Sequence, residues 1–257
     1  MIVDKINAYL TENNAPDLHE EILKEVGEKS AWIFERQFGR KDEEARSLRL
    51  SSIGKCMRQQ AYHVLDFEKA GKEMDSRSYM VFFQGDMAEL AVIYLAKLAG
   101  CNIKDEQKEV EINGIKGHPD ATMDGRLVEI KSMSSYGFEK FEKGEIDESY
   151  LYQINAYLHC LGMTECIMVA LNKDAGVLGE RVITKDPNKV SDIIYRIENL
   201  KSATKDSLPQ RPYAPDEKSI LPWQCLYCAY WKHCWPGAEK ILVGRSYKLK
   251  AGKNGNG

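Results

Sequence analysis

Asp120, Glu129 and Lys131 are the charged residues whose spacing is best suited to chemistry. Asp124–Gly125 lies between two extended runs, and an Asp-Gly pair in that setting is a strong β-hairpin signal. Counting outward from that turn places Asp120 opposite Glu129. Glu129 and Lys131 are two residues apart, so they share one face of their strand. The sequence therefore predicts that two carboxylates and an ammonium group converge on one face of a hairpin.

Like charges that face each other across a sheet repel, so such a pair needs a neutralising partner. A divalent cation is the natural candidate, and carboxylate oxygens suit Mg²⁺ or Mn²⁺. With a lysine to orient the attacking water, this set predicts phosphodiester hydrolysis. Two alternatives remain open at this stage. Pro119 can introduce a bulge that shifts the register, and the group can be an ordinary solvated hairpin face.

Gly117–Asp120, followed by Val128–Lys131, resembles the signature of the PD-(D/E)XK nucleases. Gln153 and Tyr157, at i and i+4, match the Q-x-x-x-Y motif of the RecB-like branch. The resemblance implies an α/β fold: a restriction-endonuclease-like core with a mixed central sheet flanked by helices, N-terminal helices and a C-terminal cysteine segment. It also implies that Gln153 and Tyr157 contact DNA near the active site.

A metal site is implied by the same resemblance. Asp120, Glu129, the main-chain carbonyl of Ile130 and a helical residue at position 89 would be the ligands. Many RecB-like members have Gly-x-x-x-His at this helical motif, whereas this chain has Glu89. A carboxylate is a competent ligand for Mg²⁺ or Mn²⁺. Lys131 would position the water.

Seven cysteines are an odd number, so they cannot all pair within one chain. Cys225, Cys228 and Cys234 form a C-x2-C-x5-C pattern, and Cys56 lies far upstream. This arrangement resembles the iron–sulfur RecB-like exonucleases, including CRISPR-associated exonucleases and the AddB nuclease domain, and implies a 4Fe–4S cluster. On chemistry alone zinc fits four thiolates equally well. The remaining cysteines are predicted to be core thiols.

The resemblance implies a DNA exonuclease that acts on single strands or frayed ends in recombination, repair or CRISPR and phage DNA processing. Lys55, Arg58 and His118 are candidate DNA contacts. A helicase, a recombination protein or a CRISPR integrase is an expected partner, and no oligomeric state is predicted. The alternatives are a nucleic-acid-binding or assembly protein on a nuclease scaffold, and a DNA endonuclease.

The composition is that of a globular chain. In 257 residues, 43% are hydrophobic and the net charge is −3, which argues against a disordered protein and gives no support to nucleic-acid binding by charge alone. The sequence shows neither an uninterrupted apolar run of membrane length nor a signal-peptide pattern, so no membrane association is expected. We therefore expect a cytoplasmic protein with reduced thiols, and clustered cysteines in such a protein indicate metal ligands or catalytic groups more than disulfides.

The elements that must position these residues follow from periodicity and turn signals. Helices are expected at 17–39, from Ser51 or Ser52 to Leu65, at 76–99, 149–161 and 187–203. Strands are expected at 110–112, 115–123, 126–131, 166–172 and 177–184. The predicted domains are an N-terminal helical extension (1–50), a nuclease domain closed by the cluster (51–243) and a basic, disordered tail (244–257).

Overall fold

A computed structural model describes residues 1–11, 20–39, 46–69 and 76–252. The chain divides into two compact units. The first unit contains Met1–Glu44, Arg49–Gly54 and Met74–Ile193, and the second contains Ala45–Leu48, Lys55–Glu73 and Ile194–Gly257.

Helices and strands alternate through most of the described residues. The helices are α1 (Ile2–Thr11), α2 (Glu20–Phe38), α3 (Met57–Val64), α4 (Ser76–Leu98), α5 (Ser135–Glu142), α6 (Glu148–Cys160), α7 (Pro187–Ser202), α8 (Trp223–Leu226) and α9 (Trp231–Cys234). The strands are β1 (Ile103–Lys104), β2 (Val110–Ile112), β3 (Ile115–Gly117), β4 (Ala121–Met123), β5 (Arg126–Met133), β6 (Glu165–Asn172), β7 (Val177–Thr184), β8 (Ile220–Leu221), β9 (Glu239–Val243) and β10 (Ser246–Lys250).

A five-stranded sheet in the order β1-β4-β5-β6-β7 forms the centre of the first unit. Strands β5 and β6 are parallel, and the other neighbouring pairs are antiparallel. The β5–β6 connection contains α5 and α6, because parallel neighbours need a long crossover. The predicted α/β fold, with a mixed central sheet flanked by helices, is confirmed.

The β4–β5 hairpin has the register expected from its turn. Met123 pairs with Arg126 and Ala121 with Val128, so no bulge interrupts the paired residues. Asp124 and Gly125 have φ angles of 49° and 80°, as a primed two-residue turn requires.

The expected continuous strand over 115–123 is wrong. It is divided into β3, which pairs with β2 in a separate two-stranded sheet, and β4, which belongs to the central sheet. Pro119 lies in the break, and a proline cannot donate the backbone hydrogen bond that a continuous strand needs.

Helix α4 packs against α1, α2 and β5, and Val92, Ile93 and Ala96 are among its buried residues. It ends as expected near Gly100, whose φ is +79°. By length and composition, α4 is the one helix in the described part of the chain that could cross a membrane. About 33% of its apolar stretch is buried inside the first unit, and Met80, Val81 and Phe82 are exposed.

The helices of residues 1–50 do not form a body of their own, since α1 and α2 belong to the first unit together with α4. The predicted start of the second helix at residue 17 lies outside the described residues. Helix α2 is present from Glu20 onward.

The predicted N-cap at Ser51 or Ser52 is wrong. Hydrogen bonds from Ser52 N to Arg49 O and from Ile53 N to Leu50 O close a short 3₁₀ turn there. Helix α3 begins later, after Cys56.

The second unit contains a three-stranded sheet in the order β8-β10-β9 and a small core with Leu221, Trp235 and Leu249. The prediction of a disordered tail after residue 244 is therefore wrong for β10. Leu249 is fully buried and pairs with Leu221 and Lys240, residues that a local composition argument does not consider. Residues 253–257 lie outside the described residues.

Candidate active site

Strand β5 places Glu129 in the interior of the first unit, and Lys131 is half-buried beside it. Glu129 is fully buried, and its Oε1 accepts a hydrogen bond of 2.6 Å from Lys131 Nζ. The ammonium group also lies 5.3 Å from the ring centre of Tyr150. The alternative of a solvated hairpin face is contradicted by this burial, because water does not reach Glu129.

Asp120 joins this pair immediately before β4 begins. Its Oδ2 accepts a hydrogen bond of 2.6 Å from the main-chain N–H of Ile130, and its side chain is buried. The bond fixes the Asp120 carboxylate beside the segment that carries Glu129 and Lys131. The role of the Ile130 carbonyl as a metal ligand stays a prediction.

Helix α4 contributes Glu89 to the same site. The Gln107 side-chain amide donates a 2.6 Å hydrogen bond to Glu89 Oε1 and lies 3.5 Å from Asp120 Oδ1. The main-chain N–H of Gln107 donates to the Asp120 carbonyl at 3.1 Å. The amide of Gln107 therefore stands between the two carboxylates.

Helix α6 supplies the other side of the site. Gln153 Nε2 donates to Glu129 Oε1 at 2.7 Å and to the Tyr157 hydroxyl at 3.4 Å. Both side chains are buried, and the amide of Gln153 lies beside the buried carboxylate of Glu129. Their contact with DNA stays a prediction.

The pKa values of Asp120, Glu89 and Lys131 are all shifted by burial and by the neighbouring charges. Burial and the carboxylates of Glu129 and Glu89 raise the pKa of Asp120 well above its usual range. Burial also raises the pKa of Glu89, although the hydrogen bond from Gln107 opposes the change. Burial alone would lower the pKa of Lys131, but Glu129 and Asp120 outweigh it and raise that pKa, so the side chain stays an ammonium.

The donor set fits a divalent cation, and one atom in particular points to it. Glu129 Oε2 is buried and accepts no hydrogen bond from the described residues. Leaving a charged oxygen in that condition is expensive, and a cation would remove the penalty. Within the described part of the chain, no group of three or more His, Cys, Asp or Glu side chains is gathered closely enough to hold an ion as it stands. Lys131, Gln107 and Gln153 instead donate to the carboxylate oxygens.

The three candidate DNA contacts are divided between the two units. His118 lies on the surface of the first unit, with its Nε2 3.8 Å from a carboxylate oxygen of Glu109. Lys55 and Arg58 belong to the second unit. Arg58 donates to the Tyr62 hydroxyl and to the Pro209 carbonyl, so its guanidinium group is already engaged within that unit.

Sequence reasoning missed Gln107 and Tyr150. Tyr150 lies three residues before Gln153 and seven before Tyr157, so helical periodicity places all three on one face of α6. That signal was available in the sequence. Gln107 offered none, because its position depends on a loop in which its own φ is +50°.

The four candidate cluster cysteines come together in the second unit. Cys56 precedes α3, Cys225 lies in α8, Cys228 follows it and Cys234 ends α9. All four line one small cavity, and all are free thiols. Segments that are far apart in sequence therefore bring the four thiols to one cavity, although no three thiols among the described residues are gathered closely enough to hold an ion as they stand. The cluster stays a prediction.

Burial is the main cause that raises the pKa of every one of these thiols, to about 12 for Cys225 and about 11 for Cys228. The guanidinium groups of Arg58 and Arg211 oppose the shift at Cys234. Buried thiols beside two fixed positive charges fit a thiolate-ligated centre, since a bound metal deprotonates its thiol ligands.

No protein-family model matches the chain, and no curated protein matches it significantly. Among solved structures, the crystal structure of SSO0001 is similar at a TM-score of 0.50 and 19% identity, over 79% of this chain and 92% of that one. The alkaline exonuclease LHK-Exo from Laribacter hongkongensis has a TM-score of 0.47 and 16% identity, over 67% and 91%. A phage-related exonuclease from Haemophilus somnus 129PT has a TM-score of 0.42 and 14% identity, over 60% and 92%. At these identities the similarity concerns the fold alone.

Proposed function

We propose that this protein is a DNA exonuclease that depends on Mg²⁺ or Mn²⁺ and acts on single strands or frayed ends. The observation that carries the proposal is the meeting of the buried Asp120 and Glu129 with the half-buried Lys131, in which Glu129 Oε2 accepts no hydrogen bond from the described residues. Buried polar groups normally have a hydrogen-bond partner, so a buried carboxylate oxygen without one is expected to bind a ligand.

Glu89, Asp120, Glu129 and the carbonyl of Ile130 would hold the cation. When bound, such an ion polarises a phosphoryl oxygen and lowers the pKa of its water. Lys131 keeps its proton and is placed to orient the attacking water and to stabilise the negative charge that develops on the phosphate.

Gln153 acts as a positioning residue in this proposal. Its amide holds Glu129 Oε1 and reaches the Tyr157 hydroxyl, so one side chain links the acidic site to the buried face of α6. Tyr157 keeps its own proton, because burial and the charge of Glu129 raise the pKa of its hydroxyl. A neutral phenol keeps its O–H, and an O–H is suited to donate a hydrogen bond to a phosphate oxygen.

The second proposed cofactor is a 4Fe–4S cluster on Cys56, Cys225, Cys228 and Cys234. Four thiols lining one cavity support this ligand set, and the sequence resemblance favours iron over zinc. We further propose a cytoplasmic location, which agrees with seven free cysteines, and DNA-processing partners such as a helicase, a recombination protein or a CRISPR integrase.

Digestion of matched linear and circular single-stranded DNA tests the proposal. In the presence of Mg²⁺ or Mn²⁺, anaerobically purified protein should degrade the linear strand and leave the circle intact. Fully paired, blunt duplex should be degraded more slowly than duplex with unpaired ends. Cleavage of the circle would identify an endonuclease, and binding without cleavage of any substrate would favour the assembly-protein alternative.

A further inference from the structure

A cavity of about 260 Å³ lies in the first unit between α2 and α4. Helix α2 contributes Lys29, Trp32 and Arg36 to its wall, and α4 contributes Glu89 and Tyr94. The active-site residues predicted from the sequence do not explain this cavity, because only Glu89 belongs to both.

The cavity adjoins the candidate active site. Glu89 lines it, and so does Gln107, whose side-chain amide reaches toward Asp120. A ligand in the cavity would therefore lie next to the carboxylates that are proposed to hold the cation. This adjacency is the reason to connect the cavity with the substrate of the site.

Aromatic surface is the first property of the cavity. Trp32 leaves 54% of its surface exposed, although its neighbour Ile33 is buried in the core. The guanidinium group of Arg36 lies 4.4 Å from the Trp32 ring centre, and the ammonium of Lys29 lies 5.5 Å from that of Tyr94. An exposed indole held beside a guanidinium group offers a planar ligand a place to stack.

The charges select the kind of planar ligand. Lys29 and Arg36 are already paired with Glu106 and Asp86, and Glu89 adds a further carboxylate to the wall. Since acids outnumber bases here, a phosphate group is disfavoured. A neutral ring with amino donors and nitrogen acceptors fits better, because carboxylates accept from amino groups and guanidinium groups donate to ring acceptors.

We propose that this cavity binds an unpaired nucleobase of the DNA strand whose phosphate is cleaved at Asp120 and Glu129, with Trp32 as the stacking residue. The inference rests on the proposed function and refines it. A base in intact duplex is stacked and paired, so it cannot enter, whereas the last bases of a single strand or a frayed end can. The cavity would then be a source of the preference for unpaired ends.

Replacement of the indole and removal of the base test this proposal together. Trp32→Ala should raise KM for a single-stranded oligonucleotide about 5- to 100-fold, the range expected for one lost base stack, with kcat nearly unchanged. Trp32→Phe should restore most of the affinity. A series of substrates, each with a single abasic nucleotide near the cleaved end, should include one whose KM with the wild type is raised by a similar factor. The same substrate should raise the KM of Trp32→Ala hardly further, because the missing base and the missing indole remove the same contact.

Phe34→Ala is the matched control. Phe34 lies on the same helix, is 52% exposed and packs against Phe38 and Phe83 instead of lining the cavity. It should leave KM unchanged. An equal KM increase in Phe34→Ala, or no increase in Trp32→Ala, would overturn the proposal.

A binding measurement separates this inference from the proposed nuclease activity. The probe is 2-aminopurine, placed in the oligonucleotide at the position that the abasic series identifies. Its fluorescence should fall on binding to the Lys131→Ala variant, which keeps Trp32. The fluorescence should not fall on binding to the double variant Lys131→Ala, Trp32→Ala. If the wild-type protein cleaves no DNA, the nuclease proposal fails; scanning 2-aminopurine along the oligonucleotide then still decides whether a base stacks on Trp32. Equal quenching with and without the indole at every position would refute the cavity's assignment.

Discussion

Lys131 is the residue whose contacts define its role most closely. Its ammonium donates to Glu129 Oε1 while the opposite oxygen of that carboxylate, Glu129 Oε2, accepts no hydrogen bond from the described residues. The lysine therefore neutralises one side of Glu129 and leaves the other side available. If the proposed cation binds, Glu129 would face an ammonium on one side and the cation on the other.

The first prediction separates the cation ligand from the lysine. Asp120→Asn keeps the acceptor for the Ile130 N–H but loses a negative charge, so Mn²⁺ binding measured by titration calorimetry should fall below detection. Lys131→Met should keep Mn²⁺ binding, because no ligand is removed, while cleavage falls about 10²- to 10⁴-fold. Loss of Mn²⁺ binding in Lys131→Met would mean that the lysine only holds the site together.

Hairpin spacing, which is local, predicted that Asp120, Glu129 and Lys131 meet, whereas Gln153 and Tyr157 were singled out by the resemblance to RecB-like nucleases. The two-residue turn fixed Asp120 against the Glu129 strand, and the i,i+4 spacing fixed Gln153 and Tyr157 on one face of α6. Gln107 was beyond such reasoning. It reaches Glu89 through tertiary folding of an irregular loop, for which local patterns carry no information.

At the scale of elements, close packing between β3, α6 and the 3₁₀ turn at Leu50–Ser52 keeps Tyr157 in place. A Cβ atom at Gly117 would lie 2.7 Å from Tyr157 Cε1 and 2.8 Å from Leu50 Cβ. Only glycine fits between these side chains without displacing them. The motif residue Gly117 therefore has a packing explanation besides its family resemblance.

The second prediction follows from that contact. Gly117→Ala should reduce the free energy of unfolding by about 1–3 kcal/mol through overpacking, and should also reduce cleavage by displacing Tyr157. Gly27→Ala is the control, because a Cβ at this position of α2 meets nothing within 4 Å. It should raise stability by about 0.5–1 kcal/mol in a chemical denaturation experiment. Unchanged stability of Gly117→Ala would contradict the close contact.

The prediction of one strand over residues 115–123 failed at the break between β3 and β4. Residues 115–123 alternate as one strand would, yet they serve two sheets, and the break at Pro119 brings Asp120 to the start of β4. A hydrophobic pattern reports which face of a segment is buried. It does not report which sheet buries it.

At the scale of the whole molecule, each unit is assembled from segments that are distant in sequence. The predicted domains followed the extent of the family resemblance and were contiguous in sequence, whereas α1 and α2 belong to the unit of the central sheet. The apolar faces of α1 and α2 that pack against α4 resemble those of any amphipathic helix. The hydrophobic pattern of these helices therefore does not identify α4 as their packing partner. Strand β10 likewise depends on contacts that are distant in sequence, because Leu249 is buried by residues of β8 and α8 and not by its neighbours in sequence.

The third prediction concerns the second unit, where a cluster on Cys56 and the C-terminal cysteines would join its separate segments. Cys56→Ala and Cys228→Ala should each remove the broad visible absorbance of anaerobically purified protein and lower the melting temperature by roughly 5 °C or more. Cys160→Ala, a thiol outside the cavity, should change neither. Colourless wild-type protein with stoichiometric zinc would assign the same four ligands to zinc.

The most direct test of the central claim is nucleotide release from an end-labelled single-stranded oligonucleotide, measured side by side for the wild type and Asp120→Asn. The wild type should shorten the strand from an end with Mg²⁺ or Mn²⁺ and stop when the cation is chelated, and Asp120→Asn should release nothing under either condition. Equal release by both proteins, or release by the wild type that persists after chelation, would contradict a cation-dependent nuclease site at Asp120, Glu129 and Lys131.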